Sequence, residues 1–170
     1  MSTYSRYAFL YPQEHTMTLT HSRGAILRDV ITAANARRDG ALPLDVPGAA
    51  AAFGDDLTLL GALQLRWHTR LAGRIERELN QQPLDLEQAV VAAWHATADE
   101  LPGVLAIVDR HRAAPTSPAM ADAMTRSAAK EHILLAMMAG RSSAPNDDAA
   151  RVGAEIERRA RATYHAAAAA

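Results

Sequence analysis

The sequence predicts an all-α fold, a bundle of about five helices behind an extended N-terminal arm. Three observations predict it. Ala, Leu, Arg and Glu are plentiful while Val, Ile and aromatics are scarce, which favours helix over strand. Apolar residues recur at steps of three and four over most of the chain. The 9 Gly and 8 Pro fall mostly between these periodic stretches, where they act as punctuation.

The arm is residues 1–21, and it opens with YSRYAFLYPQEH from Tyr4 to His15. Tyr7, Phe9 and Tyr11 alternate with Ala8 and Leu10, the period of an extended strand, and Pro12 stops a helix from running through. The first helix is expected from about Ser22 to Arg38. Thr20 or Ser22 caps it, Ile26, Val30 and Ala34 form its stripe, and Gly40 follows as a stop. The stretch 41–48 holds two prolines and reads as an extended connection, and Pro47 can start one short turn over Ala49–Phe53.

The second main helix, capped by Asp55 or Asp56, runs to about Leu79. Leu60, Leu63, Trp67, Leu71 and Ile75 share one face, and Arg66, Arg70, Glu76 and Arg77 fall mainly on the other. The third segment, about Leu84 to Ala113, carries Val90, Trp94, Thr97, Leu101, Val104, Val108 and His111 at alternating steps of four and three. Pro102-Gly103 interrupts it, but the seam resumes in phase, so one bent element is expected.

Ser117-Pro118 starts the fourth helix, which carries Met120, Met124, Ala128, Leu134, Leu135 and Met138 to about Ala139. Asn146 or Asp147 caps the last helix, which ends near Tyr164, with Val152, Ile156, Ala160 and Tyr164 as its stripe. Residues 22–165 thus form one helical domain, and Ala166–Ala170 is an Ala-rich tail without an anchoring side chain.

Composition excludes several classes of function. A chain of 170 residues can bury about 70% of its unfolded surface, so it needs no staples. There is no Cys, which removes disulfides, thiolate metal sites and thiol nucleophiles. No apolar run reaches the roughly 18–20 residues of a membrane span. The apolar run after Arg6 is short for a secretion signal, so a cytoplasmic location is expected. The net charge of −1 does not suit a phosphate-neutralising nucleic-acid binder, and no nucleic-acid partner is expected. Lys130 is the only lysine among 18 basic residues, and with the abundant Ala this suggests a GC-rich bacterial genome.

Motifs for chemistry are sparse. Ser22, Ser117, Ser142 and Ser143 cluster in caps and linkers, and no Gly-x-Ser-x-Gly elbow or phosphate-binding glycine loop is present. No catalytic residue is assigned. His68 and His95 each follow a core tryptophan, and His132 follows Glu131. If their helices are neighbours, these four side chains could converge as ligands of a metal or haem, as in other bundles. Glu-x-x-His and His-x-x-x-His spacings are absent, so no cofactor is expected and the histidines read first as boundary residues.

The charged faces at residues 66–78 and 155–161 read as solvated. Met137 and Met138 are adjacent and cannot both enter one core stripe, so one belongs at an edge or interface. Four of the chain's Tyr and Phe residues, Tyr4, Tyr7, Phe9 and Tyr11, lie in the arm, where clustered rings mark a contact site. The expected function is a non-enzymatic helical interaction module whose partner is itself or another protein. The arm and Met137 or Met138 would form its binding surface. A metal- or ligand-binding bundle using His68, His95, His132 and Glu131 is the alternative.

Overall fold

The computed structural model describes residues 22–168, and all regular structure within them is helical. The arm with Tyr4, Tyr7, Phe9 and Tyr11 lies outside the described residues. Helix α1 (Arg23–Arg37) starts where Ser22 Oγ accepts the Ala25 N–H at 3.2 Å. It stops three residues before the expected glycine, because Arg38 takes the left-handed conformation (φ 54°) and its N–H closes on the Ala34 carbonyl. A single short turn, α2 (Ala49–Phe53), follows the proline-bearing connection.

Helix α3 (Asp56–Leu79) begins with Asp55 accepting the Thr58 N–H at 2.7 Å. Its predicted stripe of Leu60, Leu63, Trp67, Leu71 and Ile75 is entirely buried. Helix α6 (Pro118–Met138) starts on the Ser117 cap with proline at its first turn. Helix α7 (Asp147–Ala168) runs past Tyr164 because alanine continues a helix at little cost.

The third segment differs from expectation. It forms two helices, α4 (Leu86–Glu100) and α5 (Pro102–Ala113), rather than one bent one. Pro102 has no N–H to continue the ladder, so a new helix starts there. Asn35 of α1 bridges the break: its Nδ2 donates to the Glu100 carbonyl at 3.1 Å, and its Oδ1 accepts the Gly103 N–H at 3.0 Å. One side chain thus satisfies an orphan group on each side of the break. All seven residues of the predicted seam, from Val90 to His111, are nevertheless buried.

Helix α3 is the hub, touching every helix except α7. The α6–α7 hairpin packs on the α4 side, while α1 packs against α2, α3 and α5 and reaches α4 only through the Asn35 bond to its last residue, Glu100. Trp67 and Trp94 meet edge to face at the centre, with centroids 5.9 Å apart, and Tyr164 stands edge-on to Trp94 at 5.8 Å.

Two crossings are close enough to require glycine. Gly103 of α5 lies against the Ala34 carbonyl of α1, and Gly153 of α7 lies against the backbone of His132 in α6. No helix among the described residues is long and apolar enough to cross a membrane.

Candidate functional site

The described residues hold one buried polar cluster, at the meeting of α5, α6 and α7. Glu131 and Glu157 are each 5% exposed. The sequence singles out Glu131 only as a possible ligand and Glu157 not at all. The second lies in a run of charged residues expected to face water, yet Gly153, Ile156, Glu157, Ala160, Arg161 and Tyr164 recur at helical spacing and form the inner face of α7. Glu131 likewise stands seven residues after Met124 and four before Leu135, inside the core seam of α6.

Glu157 is heavily partnered. His132 Nε2 lies 2.6 Å from one of its carboxylate oxygens, Arg112 Nη1 donates to it at 3.0 Å, and Arg161 Nη2 donates at 2.8 Å. Burial alone would raise its pKa, but the His132 hydrogen bond and the two guanidinium charges outweigh burial and hold it far below the usual carboxylate range. Arg161 also grips Asp109 through two hydrogen bonds of 2.8 and 2.9 Å, and its guanidinium lies 5.2 Å above the Trp94 ring.

Glu131 behaves in the opposite sense. Burial raises its carboxyl above the usual range, the nearby Glu157 charge pushes the same way, and Trp67 with the Arg112 and His132 charges only partly offsets them. The cluster therefore holds one carboxyl whose pKa is raised beside one whose pKa is strongly lowered.

The histidines singled out from the sequence go to different places. His132 joins this cluster. His95 Nε2 lies 2.8 Å from the Ala160 carbonyl and 3.1 Å from Thr163 Oγ1, so α7 occupies it. His68 lines a surface groove between α3 and α6 with Gln64, Leu65 and Lys130, and burial and then the Lys130 charge lower its pKa. His111, a seam residue, bonds back onto its own helix through Nδ1 to the Ile107 carbonyl at 2.8 Å. Among the described residues no three His, Asp or Glu side chains form a group able to hold a metal ion.

Asp99 and Glu100 flank the α4–α5 break. Asp99 accepts from Tyr164 at 2.9 Å, and Glu100 pairs with Arg70 and Arg74 of α3. That draws two arginines of the predicted outer face of α3 onto the bundle.

A second feature is apolar and lies at the other end of α4. Leu84 is fully exposed and Leu86 is 42% exposed. With Val91 and Ala139 they border a concavity of about 610 Å³, rimmed by Asp85, Glu87, Arg141 and Arg159. Glu87 pairs with both arginines. Leu86 packs on Gly140 just beyond α6, one turn past Met137, which is 39% exposed while Met138 packs against the core.

No family model matches the chain, and no curated protein or solved structure matches it.

Proposed function

We propose that this chain is a non-enzymatic helical interaction module that associates with itself through the Leu84–Leu86 face. The observation that carries the reading is the fully exposed Leu84 beside the part-exposed Leu86, over a concave surface floored by Val91 and Ala139. A single exposed leucine is ordinary, but two beside an apolar concavity suit a contact site.

The charges around this face support a copy of the same chain as the partner. Asp85 and Glu87 balance Arg141 and Arg159, so a two-fold contact brings no net like charge together. The buried polar cluster supports a structural role. Glu157, the residue best placed for acid–base work, is engaged by His132, Arg112 and Arg161.

Light scattering across a dilution series tests the proposal. The mass is expected to exceed that of the 18.3 kDa chain at high concentration and to fall on dilution. Leu84→Asp should shift the midpoint to at least about tenfold higher concentration, since burying an unpaired carboxylate at a contact costs more than the ~1.4 kcal/mol of a tenfold change. A monomer at every concentration, or a variant that associates as the native chain does, refutes it.

A small-ligand bundle is the second reading. It is favoured by a concavity of about 440 Å³ between α5, α6 and α7, where Arg112 and His132 face Met124 and the small side chains Ala121, Ala128 and Ala150. Its volume is within the usual range for ligand pockets.

A further inference from the structure

We propose that the groove between α3 and α6 docks an acidic amphipathic helix belonging to a different protein. This rests on the reading of the chain as an interaction module but uses a different surface. One wall is Gly61, Gln64, Leu65 and His68, one face of α3, and the other is Ala123, Arg126, Ser127 and Lys130, one face of α6.

Three properties select the occupant. The first is an apolar anchor: Leu65 is 67% exposed although its helix is the hub of the core. The second is a floor of small side chains. A Cβ built on Gly61 meets nothing within 4 Å, and with Ala123 and Ser127 it leaves room for a backbone to approach closely.

The third is uncompensated positive charge. Among the described residues neither Arg126 nor Lys130 pairs with a carboxylate, in contrast to Arg112, Arg141, Arg159 and Arg161. Asp122 lies one turn before Arg126 but makes no ion pair with it. A helix with leucines on one face and carboxylates beside them matches all three, by the helix-in-groove mode of recognition.

A second copy of the chain is the wrong occupant for a two-fold contact. Groove against groove would set Arg126 and Lys130 of each copy against those of the other, and like charges at a contact oppose association. Self-association and this docking therefore use separate faces.

The probe is a synthetic amphipathic helix with Leu at alternating third and fourth positions and Glu between, labelled for fluorescence anisotropy. A second peptide replaces every Glu with Gln. The native chain is expected to bind the Glu peptide, more weakly as salt rises, and to bind the Gln peptide at least about tenfold more weakly. The double change Arg126→Glu with Lys130→Glu should weaken binding by about tenfold or more, and Leu65→Asp should do the same.

Arg28→Glu, at an exposed arginine of α1, is the charge control and should leave binding nearly unchanged. Thermal melts confirm that each variant folds. Absence of binding by the native chain overturns the inference, as does equal binding of the Gln peptide. It is equally overturned if the Arg126/Lys130 variant binds no more weakly than the Arg28 control, or if Leu84→Asp removes the binding. Because Leu84→Asp should keep peptide binding and the Arg126/Lys130 variant should keep self-association, failure of either reading is visible without the other.

Discussion

Gly153→Ala sets helix propensity against tertiary packing at a position where the two predict opposite signs. Alanine is favoured over glycine inside a helix by about 0.8–1 kcal/mol, so local preference alone predicts a more stable protein. In the folded bundle a Cβ on Gly153 would lie 2.6 Å from His132 Cα, and closer still to that residue's carbonyl. Carbon atoms pack best at about 3.5–4.0 Å, so α6 and α7 must part by at least roughly 1 Å at the crossing.

A gap of that size forfeits about a quarter to a half of each dispersion contact across the seam. One large buried side chain makes some 40–60 contacts of about 0.1–0.2 kcal/mol each, so losing a quarter of them costs roughly 1.5 kcal/mol. Buried side chains near the crossing include Ile156 and Leu135. Losses at two such residues come to about 3 kcal/mol, and strain in the backbone adds to this. After the propensity gain, a net destabilisation of about 2–3 kcal/mol is expected, or a Tm lower by about 4–12 °C.

Two controls are built into α3. Added Cβ atoms at Gly61 and Gly73 meet nothing within 4 Å, so Gly61→Ala and Gly73→Ala should each stabilise by about 0.5–1 kcal/mol. Urea unfolding followed by tryptophan fluorescence reads all three variants. If Gly153→Ala is as stable as the native chain, or rises with the controls, the α6–α7 crossing is not as close as described and the reasoning fails.

Glu131→Gln should change the pH dependence of stability. The folded carboxyl has its pKa above the unfolded value of 4.5, so the unfolded chain releases this proton first and the native state loses about 1.4 kcal/mol per pH unit between the two values. Gln has no proton to release, so the variant should match the native chain near pH 4 and exceed it above neutrality; parallel curves from pH 4 to 8 would contradict the assignment. Glu157 has the opposite sign, and its contribution is present above 4.5 and lost as pH falls through its low folded value. Asn35→Ala should cost about 1–3 kcal/mol, because it leaves the Glu100 carbonyl and the Gly103 N–H without their partner, and the loss should appear as faster amide exchange at the start of α5.

Much of the fold is legible in the sequence because helix periodicity is local. The stripe from Leu60 to Ile75 and the seam from Val90 to His111 can be read residue by residue, and every one of those positions is buried. Caps are equally local: Ser22, Asp55 and Ser117 each bind a backbone N–H three residues on. A proline inside a helical pattern marks a break, although whether the chain bends or restarts depends on what can satisfy the freed backbone groups. That answer came from Asn35, 68 residues from Gly103, which no local pattern could supply.

The charged residues show the same division more sharply. Position on the stripe is written in the sequence, so Glu131 and Glu157 could have been placed on inner faces from spacing alone. Their ionisation could not, because it depends on which charges the fold brings near. Glu157 meets Arg112 from α5 and His132 from α6, while Glu131 meets Trp67 and the Glu157 anion. The sequence by itself determined helices, caps and the buried stripes, all set within a few turns of chain. Only the tertiary structure decided which histidines stand apart, which carboxyl has its pKa raised, and where Leu84, Leu65 and the unpaired cations are left facing outward. Coulomb and packing energies depend on distance in space, and contacts remote in sequence fix that distance.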